Sequence, residues 1–599
     1  MDALTLLQSV PIFANASADE LASLAQQGQF VQLASGECLY RENDPPRHFF
    51  ILASGRLQAS HGGLILGHIS RLEVVGEMGV VAAQVRNATV HALRDSLLLS
   101  FKAADIMAFL RVQPEVLLAL TRLVIERGRD YQNLHRPSAT RLAGTLAIVP
   151  AVSHLPSVVL AEMLTEYLRG WPVTRLITSA HVDNLFGAGF AQTPLDDSEN
   201  DQRLRRWLND LENKHDYLVF AADNDHDTWS LRCLRQADRI LILGEANSPP
   251  DDVPVLQALQ KNGLVTPVEL VLLRPEGDPS PHTHAWTEAT GARAHYFLHP
   301  WSKPELAALA RQLSGRGIGL VLGGGGARGF AHIGLIRALE QLQIPVDVVG
   351  GTSMGAFIGA LVACGFDSVE MEHIAHETFV ARNYLNDYTM PRVSLIRGER
   401  FHERLVTIFG ERRIEDLRRS YYCISTNLTT GHAGVHGHGP LASWVGTSMC
   451  VPGVAPPIAF EGDLLCDGGV VNNLPTDVMQ NLERGLIIAC NVSSDGDIRA
   501  LGAGMGVPDQ AALLNWKGND PAPSLTEILM RTATLTSDTI TQKASIERAD
   551  VYLRMPIADF GMFDWEQMEL LIQRGHEHAL QVLTPLRDRL LNGSGQFTQ

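Results

Sequence analysis

Gly323-Gly-Gly-Gly-Ala-Arg-Gly329 is the stretch of this sequence that decides the fold of its C-terminal half. An apolar run, Ile318–Leu322, comes directly before it, and the apolar residues of 331–342 recur at helical spacing after it. The stretch is therefore predicted to be a loop between a strand and a helix. Its bare backbone N–H groups, next to a helix N-terminus, suit a developing negative charge. The sequence thus predicts an oxyanion hole made by the N–H groups of Gly324, Gly325, Gly326, Ala327 and Arg328.

A second glycine-flanked element, Gly351-Thr-Ser353-Met-Gly355, follows the next predicted strand, 346–350. The helix predicted over Met354–Cys364 begins immediately after the serine. A serine at such a strand-to-helix turn is typical of a nucleophile elbow, because the flanking glycines remove Cβ atoms that would clash. Ser353 is therefore the candidate nucleophile.

Two alternatives apply to these glycine elements. Gly324-x-Gly326-x-x-Gly329 also satisfies the dinucleotide-binding pattern, but its acidic residue would be Asp347, at the start of a strand that ends in the serine elbow. Ser353 could instead be an ordinary helix cap.

A third element, Asp467-Gly-Gly469, supplies a candidate base. Gly-Gly-Gly-x-Arg-Gly, Gly-x-Ser-x-Gly and Asp-Gly-Gly, in this order, resemble the patatin-like phospholipases. This resemblance implies a Ser–Asp dyad, in which Asp467 takes the proton of Ser353. Further stretches that fit it are a buried strand over Tyr421–Asn427 and a proline-stiffened loop, 447–457, which would help to wall the cleft.

A Ser–Asp–His triad is the rival arrangement, since an α/β-hydrolase places its histidine after the acid. Only His576 and His578 follow Asp467, and both fall in 566–583, which is predicted to be an amphipathic helix rather than a loop. His332 is predicted to pack or to fix the glycine loop. Arg328 could orient the loop or meet a phosphate.

The composition sets outer bounds. The chain has 599 residues, 45% of them hydrophobic, and a formal charge of −17, which argues against nucleic acid as a partner. Its seven scattered cysteines suit a reducing compartment, and neither a metal site nor a cofactor is indicated. No apolar run is long enough to span a membrane, and the N-terminus lacks a secretory pattern. We expect a cytoplasmic protein that reaches membranes only peripherally.

A local basic stretch, residues 382–419, has nine arginines against six acids. It is interpreted either as a solvated helical surface or as a lid or headgroup-facing patch beside the active site, because it also carries Tyr384, Tyr388, Met390 and Phe401.

The first 135 residues show short strand patterns separated by turns, among them 36–40, 49–60 and 89 onward, followed by a helix over 106–129. This pattern predicts a small β-barrel. The segment 76–90 resembles the phosphate-binding cassette of cyclic nucleotide-binding domains. The resemblance implies a ligand site at Gly76, Glu77, Arg86 and Thr89, with Glu77 on the ribose and Arg86 on the phosphate. A barrel that only docks is the alternative.

A middle region repeats buried strands at 145–149, 217–223, 239–244 and 268–273, with helical stretches such as 158–169 between them, which predicts a parallel α/β sheet. It resembles a degenerate P-loop domain, yet the turn 149–157 lacks Gly-Lys-Ser/Thr, so no nucleotide hydrolysis is expected. The linkers are predicted at 136–140 and 314–317, and an exposed loop at 190–201.

The three regions together, predicted as domains at residues 1–135, 141–314 and 317–599, resemble the neuropathy target esterase family in a form without a membrane-spanning segment. This resemblance implies an enzyme that releases fatty acid from a phospholipid or lysophospholipid. A carboxylesterase acting on soluble esters, and a nucleotide-responsive scaffold with an idle hydrolase site, are the alternatives.

Overall fold

A computed structural model describes residues 2–592, except 63, 133–143, 169–172, 197, 225–226, 251–252, 262–265, 275–281, 301, 494–527 and 529–541. The chain divides into two compact units, residues 1–310 and 311–599. The predicted linker at 136–140 lies outside the described residues.

The N-terminal part of the first unit consists of two four-stranded antiparallel sheets, with strand orders β1-β8-β3-β6 and β2-β7-β4-β5. Their apolar inner residues, among them Phe50, Leu57 and Val90, form one buried core, as the barrel prediction requires. The strands are β1 (Gln29–Leu33), β2 (Cys38–Tyr40), β3 (His48–Ser54), β4 (Leu57–His61), β5 (Leu64–Ile69), β6 (Val74–Val75), β7 (Thr89–Ala92) and β8 (Ser96–Lys102). The helices are α1 (Ala3–Ser9), α2 (Ala18–Ala25), α3 (Glu77–Ala82), α4 (Ala103–Val112) and α5 (Pro114–Gln132).

Two sequence predictions for this part need correction. The stretch 49–60 is not one strand but β3 and β4, because Gly55 adopts a φ of 102° that turns the chain between them. The helix expected over 106–129 is interrupted at Gln113, where Pro114 begins a new helix.

The middle part of the first unit is a six-stranded parallel sheet in the order β10-β11-β9-β12-β13-β14, which confirms the parallel α/β prediction. Its strands are β9 (Gly144–Pro150), β10 (Thr174–Ile177), β11 (Tyr217–Ala221), β12 (Arg239–Glu245), β13 (Val268–Leu273) and β14 (Ala294–Leu298). Its helices are α6 (Ser157–Leu168), α7 (Ser179–Phe186), α8 (Glu199–Lys214), α9 (Thr228–Gln236), α10 (Pro254–Lys261), α11 (Thr283–Thr290) and α12 (Lys303–Leu313).

Residues 190–201, predicted as an exposed loop, are partly buried. Asp201 is 2% exposed because its carboxylate pairs with the Arg232 guanidinium at 2.7 Å. Arg232 also donates to the carbonyl of Thr193. A buried arginine needs such partners, so Thr193 and Asp201 are buried, whereas Asp196 between them is exposed as predicted.

Within the first unit, a buried ion-pair network joins the antiparallel sheets to the parallel sheet. Arg94, in the turn between β7 and β8, is 6% exposed and donates to both carboxylate oxygens of Glu212, at 2.7 and 2.9 Å. It also pairs with Asp238 at 2.8 Å. Beside it, Asp95 pairs with Arg235 at 2.9 Å. Bidentate pairs of this kind fix orientation as well as distance, so the two parts are held in one arrangement.

The second unit is built on an eight-stranded mixed sheet, ordered β19-β20-β17-β16-β15-β21-β22, with β18 paired to β17. The strands are β15 (Gly317–Leu322), β16 (Val348–Thr352), β17 (Ser420–Asn427), β18 (Ala433–His436), β19 (Ile458–Phe460), β20 (Asp463–Asp467), β21 (Gly485–Asn491) and β22 (Val551–Arg554). The helices are α13 (Ala331–Gln341), α14 (Met354–Cys364), α15 (Ser368–Ala375), α16 (Glu399–Phe409), α17 (Leu441–Ser448), α18 (Thr476–Asn481), α19 (Gln542–Arg548), α20 (Met568–Leu583) and α21 (Arg587–Asn592).

The centre of this sheet is its most buried part. Every residue of β15 and β16 is buried, and so is all of α14 except its last residue, Cys364. The prediction of alternating strands and helices, with β15 and β16 leading into the two glycine elements, is confirmed. Among the described residues, no helix is both long and apolar enough to cross a bilayer.

Candidate active site

The sheet brings the serine elbow and the Asp-Gly-Gly element together. In the register of parallel strands β16 and β17, Thr352 lies opposite Ile424. In the antiparallel pairing of β17 and β20, Asp467 lies opposite Ser425, the next residue. Ser353 and Asp467 therefore end two strands that flank the same point of β17. Adjacent strands lie about 4.8 Å apart, so β16 and β20 are about 10 Å apart across β17, and the side chains of Ser353 and Asp467 approach each other past the end of that strand.

Ser353 has a backbone conformation that the fold must hold in place. Its φ of 55° and ψ of −122° lie outside the regions that residues with a Cβ ordinarily adopt, at a cost of about 1–3 kcal/mol. Its carbonyl accepts the N–H groups of Ala356 and Phe357, which starts helix α14. An added Cβ at Gly351 would overlap the carbonyl of Gly355, and one at Gly355 would overlap that of Leu322. Both glycines are thus required by the turn.

Asp467 is 2% exposed, and burial raises the pKa of its carboxyl to about 6. A side-chain hydrogen bond from Ser353 and the N–H of Gly469, 2.8 Å from Oδ1, oppose this rise in the pKa. Oδ2 is buried and has no hydrogen bond of standard geometry to a described residue. The Ser353 contact is therefore longer or more bent than a standard bond. A buried carboxylate with a spare acceptor beside a serine can accept the proton of that serine.

The glycine loop contributes two N–H groups that are available as donors. The N–H groups of Gly325 and Gly326 have no partner within the described ranges, whereas Gly324 donates to Asn473 O at 3.3 Å and Ala327 to Met562 O at 2.8 Å. Of the five predicted donors, Gly324 and Ala327 are therefore the poorer candidates, because an N–H group that already has a carbonyl partner is a poorer oxyanion donor.

The loop also passes close to the serine. A Cβ added at Gly324 would stand only 3.0 Å from the Cβ of Ser353. At Gly326, the φ of 60° favours glycine and an added Cβ would overlap the carbonyl of Met562. This close approach of bare backbone to Ser353 is the arrangement that an oxyanion hole needs.

Two polar residues that the sequence analysis did not single out position these elements. Ser448 accepts the N–H of Ser353 at 3.0 Å and donates to the carbonyl of Ile424 at 2.6 Å. Asn473 donates to the carbonyl of Gly324 at 3.2 Å, and its backbone carbonyl accepts the N–H of the same residue. The only sequence signal was their position, Ser448 within the predicted proline-stiffened loop 447–457 and Asn473 four residues after the Asp-Gly-Gly element.

None of the three histidines singled out in the sequence is placed to act as the base of this site. His332 is fully buried, and burial lowers its pKa to about 4. Its Nε2 lies 2.8 Å from the carbonyl of Gly323, so it fixes the glycine loop as predicted. His576 and His578 lie on helix α20, as the helical prediction requires, and His576 contacts Gln341 at 3.1 Å. These placements favour the dyad over the triad.

The second candidate site is the predicted nucleotide pocket of the N-terminal sheets. Arg86 is 3% exposed and donates to the carbonyls of Gly76 and His48, at 2.6 and 2.5 Å. Glu77 accepts a hydrogen bond from Arg127 of helix α5 at 2.6 Å. Both predicted ligand contacts are therefore engaged by the protein itself. Thr89 also has an internal role, since its hydroxyl accepts the N–H of Glu42 at 3.0 Å.

In the described part of the chain, no group of three or more His, Cys, Asp or Glu side chains is placed to hold a metal ion.

Comparison with known families matches three consecutive models to the chain. A cyclic nucleotide-binding domain matches residues 30–113, a P-loop-like domain of the neuropathy target esterase family matches 143–301, and a patatin-like phospholipase domain matches 320–479. The sequence-based recognition of these three domain types is confirmed.

Curated relatives match nearly the whole chain. A lysophospholipase of Aspergillus oryzae is 30% identical over 93% of this chain and 42% of its own length. A patatin-like phospholipase domain-containing protein of Caenorhabditis elegans is 31% identical over 94% of this chain and 47% of its own. The chain thus spans less than half the length of these relatives.

Among solved structures, the regulatory domain of Toxoplasma gondii protein kinase A with cAMP is similar to 21% of this chain. The match covers 49% of that structure's own chain, with 19% identity and a TM-score of 0.19.

Proposed function

We propose that this neuropathy target esterase-like chain is a serine acyl hydrolase that cleaves fatty acyl esters of phospholipids or lysophospholipids. The observation that carries the proposal is geometric: the buried Asp467 carboxyl ends its strand beside the serine of a strained elbow, with a buried acceptor oxygen that has no standard hydrogen bond to a described residue. The relatives named lysophospholipases support the choice of substrate.

The geometry supports a two-step mechanism. Ser353 Oγ attacks the ester carbonyl carbon while its proton passes to Asp467, and the N–H groups of Gly325 and Gly326 stabilise the oxyanion. The intermediate collapses, the C–O bond breaks, and Asp467 returns the proton to the departing alcohol. Water then attacks the acyl-serine and loses its proton to Asp467. The second tetrahedral intermediate collapses, the bond between the acyl carbon and Ser353 Oγ breaks, and Asp467 returns the proton to Ser353 Oγ as the fatty acid leaves.

The positive end of helix α14 assists this chemistry. Ser353 is the N-cap residue of the helix and has no capping side-chain bond there, so the helix dipole points at the reacting atoms. Ser448 holds the backbone of Ser353, and Asn473 holds the glycine loop. We regard both as positioning residues because neither is proposed to touch the reacting atoms.

The N-terminal sheets are proposed to act as a docking module rather than as a nucleotide sensor. A cyclic nucleotide would have to displace Arg127 from Glu77 and draw Arg86 away from two carbonyl groups. Regulation by a cyclic nucleotide remains the competing hypothesis, supported by the match to cyclic nucleotide-binding domains. The protein is further proposed to work in the cytoplasm at a membrane surface, where its substrates lie.

The test is turnover of lysophosphatidylcholine and diacyl phosphatidylcholine by purified wild type, Ser353→Ala and Asp467→Asn. We expect fatty acid release by the wild type and at least a thousandfold loss in each variant, with no further loss in the double variant, because the dyad acts as a unit. Hydrolysis of short soluble esters alone would favour the carboxylesterase alternative. Near-normal turnover in Asp467→Asn would refute the dyad.

A further inference from the structure

A turn next to the active site exposes large apolar side chains that are normally buried. Residues 388–396 fold back on themselves, with Tyr388 bridged to Ile396. Tyr388, Met390 and Val393 are 74%, 78% and 67% exposed. Single exposed apolar residues are ordinary, but three on one short turn mark an interaction surface. We call this segment the apolar turn.

The apolar turn is tied to the chain segment that leads to Asp467. The N–H groups of Leu395 and Ile396 donate to the carbonyl of Val454, at 3.1 and 3.0 Å. This segment starts from Cys450, whose carbonyl accepts the N–H of Asp467 at 2.9 Å. The apolar turn therefore lies beside the wall of the proposed active site.

The same segment continues into the edge of the sheet. Strand β19 begins four residues after Val454 and pairs only with β20 among the described strands. Ile458, Phe460 and Leu464 of this edge hairpin, residues 458–464, are 39%, 44% and 46% exposed. An exposed apolar edge strand is unusual in a monomer, because it invites association.

The charges around the apolar turn indicate the occupant. Among residues 382–400 the exposed charged side chains are Arg382, Arg392, Arg397, Arg400 and Glu399, four positive and one negative, in a chain with a formal charge of −17. Of the five arginines farther along the basic stretch, Arg404 is buried against Glu377 and Arg419 donates to two backbone carbonyls, whereas Arg412 and Arg418 are exposed. Four of the six exposed arginines of the basic stretch thus lie within or next to the apolar turn, and they outnumber the two exposed acids of the proposed surface, Glu399 and Glu461 of the edge hairpin.

We propose that the apolar turn and the edge hairpin form the surface by which the second unit docks on an anionic phospholipid bilayer, with the apolar side chains at the acyl boundary and the arginines on the headgroups. Apolar residues flanked by arginines suit this interface. The burial of the apolar side chains and the attraction of the arginines to anionic headgroups both contribute to the free energy of binding. The inference rests on the proposed function for its biological sense, since docking here would bring lipid to Ser353.

The experiment is sedimentation of the full chain with sucrose-loaded vesicles of phosphatidylcholine and phosphatidylserine. About a third of the lipid is phosphatidylserine, so that the vesicle surface is strongly negative. The triple variant Tyr388→Ser, Met390→Ser, Val393→Ser is expected to bind at least tenfold more weakly. In the matched control, serine replaces three exposed apolar residues of helices elsewhere in the chain: Val112, Leu185 and Val369, which are 71%, 57% and 68% exposed. This variant should bind as the wild type does.

Charge is tested separately with Arg392→Gln combined with Arg397→Gln, against Arg111→Gln combined with Arg122→Gln. We expect the first pair to weaken binding severalfold at low salt and to reduce its salt dependence, and the second pair to leave both unchanged. Equal binding by the wild type and the apolar-turn variant, or no binding by the wild type, would overturn the proposal. A wild-type dimer that the triple variant converts to a monomer would also overturn it, in favour of a second copy as the occupant.

A parallel assay with a short soluble ester separates this proposal from the proposed function. Activity of the triple variant on that ester, together with lost vesicle binding, supports docking and shows that the variant is folded. Vesicle binding that depends on the apolar turn, in a protein with no ester hydrolysis, would refute the function and leave the surface standing. Ester hydrolysis with turn-independent vesicle binding would refute the surface alone.

Discussion

Ester hydrolysis is expected to depend on pH through Asp467, because only the ionised carboxylate can take the serine proton. With a pKa of about 6, roughly nine-tenths of the carboxyl groups are ionised at pH 7 and about one-tenth at pH 5. The value of kcat/KM should therefore rise about tenfold per pH unit below pH 6 and level off above pH 7. A base with an ordinary aspartate pKa of 3.8 would give no change over this range.

The assay is initial-rate hydrolysis of a short soluble ester from pH 4.5 to 8.5, which avoids effects of pH on vesicle binding. Circular dichroism at each pH excludes unfolding as the cause of lost rate. The control is His576→Asn, which should keep the same midpoint because this residue contacts Gln341 and not the dyad. A flat profile, or a midpoint that disappears in the His576 variant, would rule out Asp467 as a base with a raised pKa.

The raised pKa of Asp467 also makes the free energy of unfolding depend on pH. The folded carboxyl holds its proton up to pH 6, whereas the unfolded one loses it near 3.8, so the contribution of Asp467 to stability is fully present below pH 3.8 and is lost as the pH rises to 6. Each unit of difference between the folded and the unfolded pKa changes the free energy of unfolding by about 1.36 kcal/mol. The difference between 3.8 and about 6 therefore lowers it by about 3 kcal/mol. Asp467→Asn should therefore be more stable than wild type at pH 7.5, and gain little at pH 4, by thermal denaturation. A variant less stable than wild type at both pH values would contradict the burial argument.

Three further outcomes are expected. Gly326→Val should lower kcat by about a hundredfold and leave KM nearly unchanged, because loss of one oxyanion donor costs about 3 kcal/mol in the transition state; an effect on KM alone would assign the loop to ground-state binding. Arg94→Met should destabilise the first unit by about 3 kcal/mol in urea denaturation, since Glu212 loses its bidentate arginine and Asp238 is left with Arg56 as its charged partner, whereas Arg111→Met should change little. Titration with millimolar cAMP or cGMP should give no saturable heat, since Arg86 and Glu77 have internal partners; a micromolar affinity that Arg86→Ala abolishes would contradict the docking role.

The sequence was sufficient to predict the parts of the site that local chain geometry determines. Ser353 must lie at an elbow because its flanking glycines lack the Cβ atoms that would overlap neighbouring backbone, and because a strongly apolar strand precedes it and an apolar helix follows it. The distance between Ser353 and Asp467 was not predictable from spacing, since it depends on β17 lying between their strands.

Residues whose roles depend on distant chain segments escaped prediction. Ser448 and Asn473 act through bonds to residues 95 and 149 positions away, and nothing in their local sequence specifies those partners. The network of Arg94 with Glu212 and Asp238 was missed for the same reason. Likewise, a motif at Glu77 and Arg86 predicted a ligand site, but the reach of Arg127 from helix α5 into it could not be seen in the sequence.

Covalent labelling tests the central claim, that Ser353 is a nucleophile activated by Asp467, most directly. The full chain would be treated with a fluorophosphonate at pH 7.5, and intact mass and peptide mapping would count and locate the adduct. We expect one adduct per chain, on Ser353, and no adduct in Ser353→Ala. Labelling of Asp467→Asn should be slower than that of the wild type by at least a hundredfold. Labelling of another serine, or of Ser353 at an unchanged rate in Asp467→Asn, would contradict it.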